Sequence, residues 1–114
     1  MTLVAERVKI RLPELAKEKN GALLQELVQS AQDRINLRIG EETLPSVFQS
    51  IAVEVVIRAY NRLRYEGLES ENVDNTFRVT LIKDILSNYE QDFVNYVHVK
   101  NRTENPEHGV LRFL

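Results

Sequence analysis

The sequence predicts a mainly α-helical protein: a small bundle of about four helices with an antiparallel central pair, an extended loop or short strand segment, and a C-terminal tail. Three observations lead there. Apolar residues recur at helical spacing along most of the chain up to His98. The longest of these stripes carries stop and start signals at both ends. The stripe before it is separated by only a short link, which favours an antiparallel helical hairpin.

The longest stripe is Leu44 to Leu68, LPSVFQSIAVEVVIRAYNRLRYEGL. Val47, Phe48, Ile51, Ala52, Val55, Val56, Ala59, Tyr60 and Leu63 repeat at steps of one, three and four, which places them on one broad face of a helix. Gln49, Ser50, Glu54, Arg58, Asn61 and Arg62 fall on the opposite face. Pro45 suits the first turn, where a missing N–H costs nothing. Gly67 suits the left-handed position just past the end, with Leu68 placed to fold back on Leu63 as in a Schellman motif. The pattern predicts a helix over 45–66, roughly 30 Å long and about as wide as a small domain. The other elements must pack against it.

In chain order, Val4, Val8 and Leu12 predict a short helix over 2–12, with Thr2 as its cap. Pro13 ends it or starts a further turn through Leu15 and Ala16. Lys17 to Gly21 is polar and contains the turn signal Asn20-Gly21. Leu23, Leu24, Leu27, Val28, Ala31 and Ile35 predict a helix over 22–39, stopped by Gly40. Beyond Gly67, residues 69–75 read as a polar loop. Thr76 to Leu81 (TFRVTL) alternates and is β-branched, which predicts a short strand or extended segment. Ile85, Leu86, Tyr89, Phe93, Tyr96 and Val97 then predict a helix over 84–98, with Asp84 near its start, where a negative charge suits the helix dipole. The chain thus divides into a helical domain, 1–98, and an extension, 99–114, that is polar at first and ends on VLRFL.

Composition narrows the function classes. The chain has 114 residues, 43% of them hydrophobic and 28% charged, with a formal net charge of −2. That suits one soluble globular domain and gives no basic excess for gripping nucleic acid or an anionic membrane. Lys and Arg interrupt the N-terminal segment, so no signal peptide is read there, and no apolar run is long enough to cross a bilayer. The expectation is a soluble protein made in the cytoplasm, without membrane partners. There is no cysteine, which excludes disulfides and thiolate metal sites. His98 and His108 have no metal spacing to a carboxylate, and no nucleophile–base pair or phosphate-cradling glycine loop is present. No catalytic, cofactor or metal site is expected, and the chain reads as a non-enzyme.

Several residues read instead as contacts with another subunit. Glu54 and Arg58 are one turn apart on the polar face of the long helix, with Arg62 following, and this row reads equally as a solvated helix face or as a polar contact face. Phe77, Val79, Leu111 and Phe113 are apolar residues in excess of what so small a core holds, and surplus apolar segments mark interfaces.

The long helix and its exit carry a resemblance. The run Ser50-Ile51-Ala52-Val53-Glu54-Val55-Val56-Ile57-Arg58-Ala59-Tyr60-Asn61-Arg62, followed by Tyr65-Glu66-Gly67-Leu68-Glu69-Ser70-Glu71-Asn72-Val73, resembles the head–tail connector proteins of long-tailed double-stranded DNA phages and prophages. Ala31-Gln32-Asp33-Arg34-Ile35 and Gly40 are similar to that family's second helix. Asp74-Asn75 stands where the family usually has a glycine pair, and both residues tolerate turn conformations. The resemblance spans residues 3–97. It implies a structural, non-enzymatic virion protein at the head–tail interface, a homo-oligomeric ring of about a dozen copies built from heterologous contacts. The ring would dock beneath the portal protein after packaging, offer a platform to a stopper or tail-completion protein, and let DNA pass without specific binding. It also adds Glu66, Gly67, Leu68, Ser70 and Glu71 to the interface candidates. The competing reading from composition and fold class is a small helical DNA-binding or regulatory module.

Overall fold

The structure, a computed structural model, describes residues 2–65 and 75–104. Five α-helices are present among them: α1 (Thr2–Arg11), α2 (Gly21–Ile39), α3 (Gln49–Tyr65), α4 (Asn75–Leu86) and α5 (Glu90–Glu104). Short 3-10 turns at Pro13–Ala16, Glu18–Asn20, Ser46–Phe48 and Ser87–Tyr89 join them. No strand occurs among the described residues.

α3 is the axis of the bundle. Ala52, Val53, Val55, Val56, Ile57, Ala59, Tyr60 and Leu63 are all buried. This is more than one stripe: Val53 and Ile57 lie beside the face that the spacing picks out, and α1, α2 and α4 cover the helix from three sides. α2 returns antiparallel to it, burying Leu23, Leu24, Leu27, Val28, Ala31, Ile35 and Ile39. The hairpin link begins at Gly40, which ends α2 in the left-handed conformation at φ 75°. Its N–H and that of Glu41 both bond to the carbonyl of Asn36, at 2.8 and 3.0 Å, so the helix end is satisfied as a Schellman-type cap requires. A side chain at position 40 would pay the left-handed penalty that glycine escapes.

α1 lies parallel to α3, since Arg7 donates to Ser50 Oγ at 3.0 Å and Arg11 pairs with Glu54 one turn further along both helices. Val4 and Val8 are buried, and the turn after Pro13 buries Leu15. α4 and α5 run antiparallel to α3 on the other face of the hairpin. Arg62 of α3 shares a shallow cavity with Phe77 and Asp84, Arg58 sits over the Tyr89 ring, and Phe48 meets Phe93 and Tyr96.

Three sequence expectations need correction. Thr76 to Leu81 is helical, not extended. Arg78, Leu81, Ile82 and Leu86 are the buried positions, at steps of three, one and four, so a helical period overrides the six-residue alternation. Asp84 therefore lies late in α4 and not at a helix start. The helix expected over 84–98 is the second part of a longer run that breaks at Ser87. There Ser87 Oγ donates to the Asp84 carbonyl at 2.6 Å and Asn88 Nδ2 to the Ile85 carbonyl at 3.2 Å, taking up carbonyls that α4 leaves open. The run continues through Val99 to Glu104, residues assigned by sequence to the extension. Third, Val47 is 65% exposed although it fits the long stripe. It sits in the 3-10 turn Ser46–Phe48, whose three-residue period turns Phe48 inward and Val47 outward. Pro45 precedes that turn, at its cap.

Val55 is fully buried in the middle of α3. Val55→Asp is expected to unfold the domain, because an unpaired buried charge costs several kcal/mol, on the order of the stability of a domain this size. A melting temperature equal to that of the parent protein would contradict its place in the core.

Candidate subunit interface

The exposed edge of α3 carries Ser50, Arg58, Asn61, Arg62, Arg64 and Tyr65, bounded on one side by α1 and on the other by α4. Of the residues expected there, Glu54 is half-buried and held by Arg11. Arg58 is exposed, with its guanidinium carbon 6.0 Å from the centre of the Tyr89 ring, the outer limit of a cation–π contact. Arg62 is exposed beside Phe77, which is itself on the margin of exposure, and Val79 is half-buried in α4. The structure thus brings Arg58, Arg62 and Phe77 to one seam between α3 and α4, and draws Glu54 aside to α1. Glu66, Gly67, Leu68, Ser70, Glu71, Leu111 and Phe113 lie outside the described residues, as do the cap proposed at Gly67 and His108. His98 is exposed on α5.

A second polar constellation, unmarked in the sequence reading, fastens α5 to the α2–α3 corner. Tyr96 donates its hydroxyl to Glu41 at 2.7 Å. Lys100 pairs with the same carboxylate at 3.1 Å and donates to the Gly40 carbonyl at 3.2 Å. A cation there meets the negative end of the α2 dipole. One turn back, Arg38 grips Glu90 through two nitrogens. Beneath these pairs Phe48 makes edge-to-face contacts with Phe93 and Tyr96, ring centres 5.3 and 5.1 Å apart. No local motif announces partners more than fifty residues apart; the only signal available was an acid directly after the helix-stopping glycine.

These partners shift two carboxylates. The Tyr96 hydroxyl, and then Lys100, hold Glu41 below the usual carboxylate range, and the Arg38 guanidinium does the same for Glu90. A carboxylate depressed in the folded state contributes stability above its unfolded pKa and loses it as pH falls through the folded value. Docking of α5 should therefore weaken on acidification below the ordinary carboxylate range. Thermal unfolding followed from pH 7 to pH 3 should show a smaller acid loss in a Glu41→Gln, Glu90→Gln variant than in the parent chain. Equal losses would mean that these pairs do not carry the effect.

Among the described residues no group of three or more His, Asp or Glu side chains is placed to hold a metal ion. No described helix is long and apolar enough to cross a membrane. Among the described residues the surface carries polar edges, ion pairs and exposed apolar side chains on a helical frame.

A search of curated proteins and one of solved structures gave no match. A family model described as phage gp6-like head-tail connector protein matches residues 5–90, from α1 to the start of α5. The match covers most of the chain and every helix that packs on α3, and the protein therefore belongs to the gp6-like family of phage head–tail connectors.

Proposed function

We propose that the protein is a head–tail adaptor that assembles into a closed ring of about a dozen copies through heterologous contacts. In this reading the ring docks beneath the portal protein and presents a platform to a stopper or tail-completion protein. Family membership supports a structural connector role at the junction of head and tail. The observation that carries the ring reading is the placement of the large exposed apolar side chains. Ile10 on α1, Leu37 on α2 and Tyr65 at the end of α3 are 79%, 74% and 90% exposed, and they sit on three different elements. One self-complementary patch would favour a two-fold dimer, whereas separate patches suit head-to-tail contacts that propagate around an axis. Arg58, Arg62, Phe77 and Val79 contribute a lateral or portal-facing surface, together with residues 66–71 and the Leu111 and Phe113 segment.

DNA passes through such a ring without being held. A net-acidic subunit repeated around a channel repels phosphates, and several cations are already engaged: Arg11 by Glu54, Arg38 by Glu90, Lys17 by Glu14 and Lys100 by Glu41. Duplex binding should be undetectable near 150 mM salt, at roughly physiological screening. Micromolar binding that falls steeply as salt rises would instead favour a small DNA-binding module.

Light scattering over a range of concentrations, with electron micrographs of the same sample, tests assembly. The expected result is growth to one large species that images as rings. Monomers at every concentration, or a limiting dimer, would overturn the ring.

A further inference from the structure

α2 and the α4–α5 run leave an open groove of about 350 Å3 between them, on the face of the hairpin away from α1. Leu86 and Phe93 form its floor and Leu37 a largely exposed wall. Arg34, Arg38 and Lys83 stand around it. Glu90 occupies Arg38, but Arg34 and Lys83 enter no ion pair among the described residues. The groove is therefore apolar within and positive at its rim. It fits an apolar side chain that brings a carboxylate with it.

The chain itself carries such a feature. Glu6 and Ile10 are one turn apart on α1, both exposed, and Glu6 has no ion pair among the described residues. Of the neighbouring cations, Arg7 and Arg11 reach across to Ser50 and Glu54 and the half-buried Lys9 stands on the flank, so the outermost line of α1 presents an acid and an isoleucine. Two other exposed apolar side chains, Tyr65 and Val94, fit less well. Tyr65 sits among Arg62 and Arg64, and the acid one turn from Val94, Glu90, is taken by Arg38.

Position agrees with charge. Arg7–Ser50 and Arg11–Glu54 fix Ile10 beside the first half of α3. Phe48–Phe93 and Arg58–Tyr89 place the groove alongside α3 from its start to just past its middle, a span that includes the height of Ile10. α1 and α4 each pack on both helices of the hairpin without forming a helix pair with each other. Knob and groove thus lie at one height on opposite faces, as a flat ring requires of its two contact surfaces.

We propose that the outer face of α1 in one copy seats in this groove on the next, Ile10 against Leu37, Leu86 and Phe93, and the Glu6 carboxylate between Arg34 and Lys83. The inference rests on the ring reading and names the surfaces that close it. Because the chain has no cysteine, an Ile10→Cys, Leu37→Cys variant carries a unique pair at two exposed positions. Mild oxidation of the assembled variant should give a ladder of covalent multimers on a denaturing gel, while each single variant stops at dimer. In parallel, Glu6→Lys should raise the concentration for half-assembly by about tenfold or more, and adding Lys83→Glu should recover part of that loss. Intact rings without a ladder, a disulfide closed within one chain, or charge changes that leave assembly unaltered would overturn the contact while leaving the ring. A parent chain that forms no oligomer would remove the ring reading and this contact with it.

Discussion

The fold depends on the enclosure of α3. A helix with a single apolar stripe needs one neighbour; this one buries Val53 and Ile57 beside its main stripe and so needs three. Ala52 and Ala59 are fully buried, and their small side chains let neighbouring helices approach closely, while Tyr60 and Leu63 fill the wider space. Removing any one of α1, α2 or α4 would expose part of that surface. Among the described residues, the enclosure leaves the edge of α3 bearing Arg58, Arg62 and Tyr65 facing outward from the axis.

The polar interactions serve orientation more than stability. Exposed ion pairs contribute little individually, about 0–1 kcal/mol. Those made by Glu41, Lys100, Arg38 and Glu90 nevertheless gather at one corner, over the Phe48–Phe93–Tyr96 cluster, and set the direction in which α5 leaves the hairpin. The proposed ring would need fixed angles between the contact surfaces of each copy, because a small error per subunit accumulates around a circle. Rigid helices tied at a corner supply that constraint better than loops do.

Much of this was legible in the sequence because it is local. Gly40 stops α2 and the short link folds the hairpin, as their residue types require. The stripes of α1 and α2 are buried as their spacing predicts. Where the reading failed, a short pattern competed with a longer one. Phe77, Val79 and Leu81 alternate, but burial of Arg78, Ile82 and Leu86 sets a helical period that six residues do not reveal. Val47 fits an α-helical stripe and lies in a 3-10 turn. The candidate site was less accessible. Arg58 and Arg62 are legible as a pair because they share a helix face, whereas Leu37, Lys83 and Phe93 form a groove only after three helices meet. Family resemblance reached further than spacing did, since it draws on the exit of α3 as well as on its stripe.

The central claim is that α3 is the most protected element and that the assembling surfaces lie on the helices around it. Residue-resolved amide hydrogen exchange measures this directly, because core elements open only with the whole domain while peripheral ones open locally. The account predicts that the slowest amides lie between Ala52 and Leu63, before and after assembly, and that assembly adds protection to α1 and to the α2–α4 seam. Amides of α3 that exchange as fast as those of α1 in the free subunit would contradict it.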